Sequence, residues 1–439
     1  RRVLVVGPNP AFMDYVSHVL PTLGDESVEQ RAVGELVDGV EVSLSDPPDA
    51  QLLKGDVRMA DVVRRAVEAR VEPQPEQLAL RLGGAWIRLR EEEVAELVVE
   101  ARAERGLSNA ARELFRMNVV RRFYARYGER LGGSAFLASD DVEQALRREG
   151  RLTRFLDRVW PAPRPEQVVR HLLVSRQALE AAADGILNED EQTLLARHRR
   201  GWSDADLPLV DEARALLDPP TVYGHVIVDE AQDLTPMQLR MIGRRGLGSF
   251  TILGDIAQAT GPVPYRAWSE VLPHLPGGED AAIEELRHAY RVPREIMALA
   301  LPLLDQIAPG TEPPLAYRVG AEPPRILQGE PALSLAFEEA ARLAGEEGML
   351  ALIVPASLRG REAPALFDET HAPLLTPREA KGMEFDHVVV VEPAAIVDEA
   401  QGGQGLRELY VALTRPTRTL VVVHARPLPA ALAQREQTR

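Results

Sequence analysis

The sequence predicts an α/β fold, with parallel sheets flanked by helices, and three observations carry that expectation. Short apolar runs end in polar or glycine-bearing segments: Val3–Val6, His225–Val228 and Phe250–Leu253. Further apolar runs, Met349–Val354, Val388–Val391 and Leu420–Val423, alternate with stretches of helical spacing. Strands alternating with helices suit parallel sheets joined by crossover helices. Between the first run and the rest, from about Asp46 to Pro219, the apolar spacing turns helical.

The elements follow in chain order. Val3–Val6 is closed by Gly7-Pro8-Asn9-Pro10, a loop signature. Ala11–Leu20 reads as a helix with Phe12, Tyr15, Val16 and Val19 on one face. Leu52–Ala69, Glu91–Tyr127, Asp140–Val159 and Pro165–Asp184 have helical apolar spacing among dense Arg and Glu, and Pro161-Ala162-Pro163-Arg164-Pro165 separates the last two. Leu78–Leu89 is the exception, a β pair turning at Gly83-Gly84. Leu272–Glu279, rich in Pro and Gly, is a candidate linker. A helix near Pro293–Leu304 and another at Gly405–Thr414 interleave with the late strands, and Ala430–Arg439 reads as a frayed helical tail.

Composition narrows the function. The 439 residues suggest two to four domains at roughly 100–200 residues each. Hydrophobic residues at 45% and charged residues at 27% are ordinary for a globular chain and exclude a disordered or fibrous one. The absence of cysteine excludes disulfides, a thiol nucleophile and thiolate zinc sites. No apolar run approaches the roughly 18 residues of a membrane span, so no membrane partner is expected. A net charge of −16 argues against a sequence-independent nucleic-acid coat, while permitting a local basic groove or a basic protein partner. Lysine occurs only at Lys54 and Lys381, which reads as coding bias. The chain opens without Met, almost inside a strand, and shows no signal-peptide pattern, so a fragment of a longer cytoplasmic protein is expected.

Five constellations carry chemistry. In Val226-Ile227-Val228-Asp229-Glu230-Ala231-Gln232-Asp233, carboxylates stand at the C-terminal end of a buried parallel strand, where α/β sheets bind ligands. Asp229 would hold Mg²⁺ through water and Glu230 would orient or deprotonate an attacking water. An acidic helix N-cap explains the same residues. In Ile252-Leu253-Gly254-Asp255-Ile256-Ala257-Gln258, the glutamine is placed to hydrogen-bond a terminal phosphate, though a Gly-Asp turn is common. In Leu286-Arg287-His288-Ala289-Tyr290-Arg291, the arginine suits a developing phosphate charge and the tyrosine a base, yet a Tyr-Arg pair on a helix is also ordinary surface and core. Ala380-Lys381-Gly382-Met383-Glu384-Phe385-Asp386 precedes a strand and holds one of the two lysines. Leu409-Tyr410-Val411-Ala412-Leu413-Thr414-Arg415 reads as a buried helix with Thr414-Arg415 emerging at its end.

In this order and spacing the five segments resemble superfamily 1 helicases of the UvrD/Rep type, with two RecA-like P-loop NTPase domains and motifs II to VI. The resemblance implies ATP and Mg²⁺ as cofactors. It implies Asp229 as the metal carboxylate, Glu230 as the water-activating one, Gln258 as the γ-phosphate sensor, and Arg291 and Arg415 as arginine fingers. Glu384 would contact the nucleotide sugar, Tyr290 would stack near the adenine, and Lys381 and Gly382 join the nucleotide-binding set. It divides the chain into a partial first RecA-like domain (1–45), a mainly helical insertion (46–219), the return of the first domain with motifs II and III (220–275), a second RecA-like domain with motifs IV to VI (276–430) and a tail (431–439).

A narrower resemblance, to the helicase IV/HelD-type ATPases, rests on Val3–Pro10 with Ala11, Phe12, Tyr15 and Val19-Leu20-Pro21, on Lys54-Gly55-Asp56-Val57-Arg58-Met59, on Gly261-Pro262 and on Tyr290-Arg291-Val292-Pro293. It implies a monomeric motor that remodels or recycles RNA polymerase, its helical insertion reaching the polymerase channel. A single-stranded DNA translocase with 3′–5′ polarity and a non-hydrolysing binding module are the alternatives; aromatics at 5% disfavour the first of these.

The sequence departs from the family in one important way. A P-loop needs G-x-x-x-x-G-K-S/T, and neither Lys54 nor Lys381 has that context. The phosphate cradle is therefore expected upstream, and the opening strand is expected beside one supplied by that upstream segment, leaving an exposed edge. Two smaller departures are Ala289 in place of Asn and Arg378 in place of His. Arg415→Ala is expected to lower turnover with little change to folding.

Overall fold

A computed structural model describes residues 2–8, 10, 13, 28–82, 85–130, 150–196, 201–319, 322–360, 372–400 and 404–433. The helix expected over Ala11–Leu20, with Tyr15 and Val19, lies almost wholly outside them. So do the Gly83-Gly84 turn, the first part of Asp140–Val159 and the tail beyond Ala433. The chain divides into two compact units: Arg1–Val33 with Tyr223–Thr235 and Gly246–Arg439, and Gly34–Val222 with Pro236–Arg245. The helical unit thus begins earlier than residue 46 and takes in a second stretch, because the helix Pro236–Gly243 packs on Leu207–Leu217.

The first unit holds two parallel sheets. In one, β1 (Val3–Gly7), β2 (Val28–Ala32), β3 (His225–Val228) and β4 (Phe250–Ile252) run in the order β2-β1-β3-β4. Val3 stands opposite Val28 on one side and His225 on the other. The opening strand is therefore paired on both sides, by the chain's own β2 and β3, and is not left at the exposed edge that the sequence suggested. β2 reads Val-Glu-Gln-Arg-Ala and has no apolar run to betray it. As an edge strand it needs none. Glu29 on it pairs with Arg2 and Arg31 and accepts the Tyr223 hydroxyl at 2.9 Å.

In the second sheet, β5 (Arg325–Gln328), β6 (Leu350–Ile353), β7 (Leu374–Leu375), β8 (Phe385–Val391) and β9 (Pro416–His424) run in the order β7-β6-β8-β9-β5, all parallel. Within the central strands the runs Leu350–Ile353, Val388–Val391 and Leu420–Val423 are apolar and buried at every position because both faces are covered there. Alternate residues divide between two cores. Ile353, Val388, Val390, Leu420 and Val422 pack with helices α1 (Arg294–Ile307) and α3 (Gly405–Leu413). Leu352, Val389, Val391, Val421 and Val423 pack with α2 (Ala332–Leu343). The fold class is thus the expected one, α/β with parallel sheets flanked by helices.

Two local expectations fail in this unit. Leu272–Glu279 is no extended linker: it folds into two 3₁₀ turns, and a side chain on Gly278 would lie 1.8 Å from the Leu272 carbonyl oxygen. Tyr290-Arg291 lies on no helix; it follows the short strand His288–Ala289, which pairs with Leu315–Ala316.

The second unit is mainly helical, with the antiparallel pair Leu78–Leu82 and Ala85–Leu89 as read from the sequence. Its long helices are broken more often than the spacing suggested. The first ends at Gly55, because Asp56 turns extended and its carboxylate accepts the Arg58 N–H at 2.8 Å. Glu91–Arg105 ends at Gly106, whose φ of +66° favours glycine, and Ser108 caps the next helix by accepting the Ala111 N–H at 3.1 Å. Ser175 both closes Pro165–Val174 and caps Arg176–Ala183. Polar capping residues interrupt a periodicity that apolar positions alone continue. Among the described residues no helix is long and apolar enough to cross a membrane.

Lys54 anchors this unit. Its side chain is 2% exposed and its ammonium reaches Asp46 at 2.5 Å and Asp206 at 3.0 Å. Scarcity of lysine thus has a chemical correlate that composition did not reveal, since Lys381 is buried in an ion pair too. A compact ammonium with three donors suits such a cage better than a planar guanidinium. Removing it would leave buried carboxylates unpaired, so Lys54→Met is expected to lose about 3–5 kcal/mol. Urea unfolding checks this: a midpoint equal to the parent's would show that the cage contributes nothing.

Candidate functional site

The site grows from the C-terminal ends of β3 and β4. The Asp229 N–H donates to the Val6 carbonyl at 2.9 Å, which extends the sheet by one bond and fixes the carboxylate at its edge. Glu230 then turns into the left-handed region at φ +53°. A non-glycine residue there costs of order 1–3 kcal/mol and persists only where its surroundings hold it. Here its N–H donates to Asp229 Oδ1 at 2.8 Å, and Gln232 Nε2 donates to its Oε2 at 2.5 Å. Gln232 is fully buried, and its Oε1 accepts the Asp255 N–H at 3.1 Å, tying the two strand ends together. A side chain on Gly254 would sit 2.1 Å from that oxygen, so the glycine is required by close approach. Burial pushes the Glu230 carboxyl above its ordinary range, against the pull of Lys381.

Asp255 holds the second half. Its Oδ1 accepts the Ala257 N–H at 2.9 Å and its Oδ2 accepts Gln258 Nε2 at 2.8 Å. The Gln258 amide is thereby turned so that its Oε1 accepts Arg415 Nη2 at 2.9 Å. This bond joins the loop after β4 in the first sheet to the end of α3, just ahead of β9 in the second.

Arg415 does not emerge at the end of its helix as the sequence suggested. It is 3% exposed. Its Nε donates to the Val411 carbonyl at 3.0 Å and its Nη1 to the Met383 carbonyl at 3.3 Å. Burial first, and the neighbouring Arg291 cation second, lower its pKa to about 10. Arg291, half exposed, forms an ion pair with Glu384. Tyr290 is exposed and stacks on Tyr317 with ring centroids 5.5 Å apart and an interplanar angle of 18°.

Lys381 stands between the two sheets. Its ammonium donates to Asp233 Oδ2 at 2.5 Å, to Thr260 Oγ1 at 3.3 Å and to the Gln258 carbonyl, and lies 3.6 Å from Glu230 Oε2. All three donors are directed at protein acceptors in this structure. Gly382, at φ +78°, lets the chain turn immediately after it.

Sequence reasoning assigned no role to Gln232, Asp233, Asp255 or Thr260. Asp233 Oδ1 accepts the N–H groups of both Thr260 and Gly261 at 2.9 Å. The signal was present in the second aspartate of Asp229-Glu230-Ala231-Gln232-Asp233, but its partners lie far along the chain.

Among the described residues no group of three or more His, Asp or Glu side chains is placed to hold a metal ion. Mg²⁺ needs less, commonly one or two carboxylates beside water and phosphate oxygens. Asp229 fits that role: Oδ1 takes the Glu230 N–H, and Oδ2 accepts no hydrogen bond from the described residues. Neither lysine fits a phosphate cradle, since each is committed to carboxylates.

No protein-family description and no curated protein matches the chain. Among solved structures it is similar to helicases. The PRRSV helicase is 16% identical with a TM-score of 0.29, covering 46% of this chain and 35% of that one. An arterivirus nonstructural protein 10 helicase solved with DNA is 20% identical with a TM-score of 0.29, covering 46% and 40%. The C-terminal domain of a possible DNA helicase from Lactobacillus plantarum is 19% identical with a TM-score of 0.24, covering 33% and 92%. The chain spans well under half the length of the first two.

Proposed function

We propose that this chain carries the water-activating and arginine-bearing parts of a helicase-like motor ATPase. The observation that carries the reading is the Gln258–Arg415 hydrogen bond of 2.9 Å, made beside the Asp229-Glu230 pair. It couples a glutamine at one sheet's strand ends to a buried arginine of the other sheet. A glutamine and an arginine so linked suit a site where a terminal phosphate is gained and lost. Glu230, raised by burial, is the base that takes a proton from the attacking water. Asp229 would hold Mg²⁺, which when bound neutralises charge on the phosphate oxygens. Arg415 and Arg291 supply positive charge to the transferring phosphoryl group, Tyr290 offers a stacking face, and Glu384 orients Arg291 and would reach the nucleotide sugar.

Within that class we favour a UvrD-like motor of the HelD type acting on RNA polymerase. The support is the run of short motifs and the net charge of −16, which suits a protein client better than a nucleic-acid track. The test is ATP hydrolysis by the full-length gene product, alone, with single-stranded DNA and with RNA polymerase. Stimulation by polymerase above that by DNA is expected. The reverse order would make it a DNA translocase, and no hydrolysis under any condition would leave a binding module.

A further inference from the structure

Arg407 lies at the start of α3, two turns before Arg415, and is 6% exposed. Among the described residues it has no carboxylate within ion-pair distance. Its Nη2 donates to the carbonyls of Tyr265 at 2.8 Å and Ile307 at 3.0 Å, and its Nη1 reaches the Ala259 carbonyl at 3.5 Å. Burial, and then the nearby Arg266 cation, make its charged form less favourable, outweighing the opposing pull of Glu270. A buried guanidinium with no carboxylate in direct contact is costly, and an apolar residue of similar volume is often as stable or more so. Packing alone therefore gives no reason for arginine here.

The carbonyls it holds supply the reason. Ala259 follows Gln258 directly, Tyr265 closes the same loop and Ile307 ends α1. The adjacent Gln404 donates its Nε2 to the Gly261 carbonyl at 2.7 Å, gripping that loop from the same end of α3. At the far end of α3, Arg415 grips the Gln258 side chain. The loop from 258 to 265 is thus held at two places by one helix.

We propose that Arg407 is a positioning residue: it locks the 259–265 loop to α3, so that a shift of Gln258 and a shift of Arg415 are one movement. The proposal rests on the ATPase reading above, but its physical core does not. In the full-length product, Arg407→Met is expected to lower kcat about ten- to a hundredfold, the loss that a misplacement of about 1 Å produces. KM for ATP should move much less, since Arg407 is not placed to touch nucleotide. Amide hydrogen exchange across 259–265 should quicken, and Arg407→Lys, which keeps the charge and some of the donors, should recover part of both. A kcat equal to the parent's in Arg407→Met, with Arg415→Ala inactive, would overturn the positioning role while leaving the ATPase reading intact. If the parent hydrolyses no ATP, that reading falls instead, and exchange still decides: faster exchange at 259–265 supports the lock, and unchanged exchange overturns it.

Discussion

Glu230→Gln in the full-length product is expected to cut ATP turnover by about a hundred- to ten-thousandfold, the usual contribution of a positioned general base. ATP binding should survive. The substitution keeps the shape of a residue held at φ +53°, and the amide oxygen can still accept from Gln232. What disappears is the basic oxygen. Burial raises the Glu230 carboxyl above the ordinary value of 4.5, which makes it a better proton acceptor than a solvated carboxylate. Lys381, 3.6 Å away, keeps the charged form accessible. Equilibrium nucleotide binding and single-turnover hydrolysis together check the prediction. Hydrolysis at the parent rate would show that the water is activated elsewhere and that the carboxylate pair is only a strand end.

The residues of this cluster were legible where they end apolar runs. β8 and β9 are buried along their valine-rich runs and β3 at alternate positions, so those strands announce themselves without help from partners, while β4, half-exposed at the sheet edge, shows only through Phe250, Ile252 and Leu253. Asp229, Glu230 and Gln258 stand one to six residues beyond such runs, and so were visible with them. β2 was not, because the edge strand Val-Glu-Gln-Arg-Ala is only half-buried along most of its length and carries no apolar run. The helix breaks at Asp56, Gly106 and Ser175 were hidden for a different reason: a cap is decided by one side chain's local bond, while periodicity averages over turns. Hardest of all was Lys381. Its pairing with Asp233 spans 148 residues, and nothing local to either residue foretells it. Long-range polar pairs are set by topology, which sequence spacing determines only after the sheet order is known.

Arg415 shows how such a pairing changes an expected experiment. From sequence it stood at a helix end in solvent, so Arg415→Ala was expected to impair turnover alone. Buried as it is, the arginine also supplies donors to the carbonyls of Val411 and Met383 and to the Gln258 amide. Alanine removes the donor to the Gln258 amide oxygen and to the Met383 carbonyl, while Val411 keeps its bonds from Thr414, and a buried group left unsatisfied costs about 1–3 kcal/mol. Arg415→Ala should therefore lower the unfolding midpoint as well as the rate, and the rate by more: an arginine acting on transferring phosphate contributes about a thousand- to a hundred-thousandfold. With a pKa of about 10, the side chain remains charged at neutral pH despite its burial, so the charge is available for that work. Arg415→Lys separates the two effects, because it retains the charge while losing the fork that reaches three acceptors at once. Its turnover should fall between the parent and the alanine variant. Turnover at the parent level in Arg415→Ala, measured on protein shown to be folded, would make this guanidinium a structural clasp between Met383 and Gln258, and the charge that stabilises the reacting phosphate would then have to come from Arg291 alone.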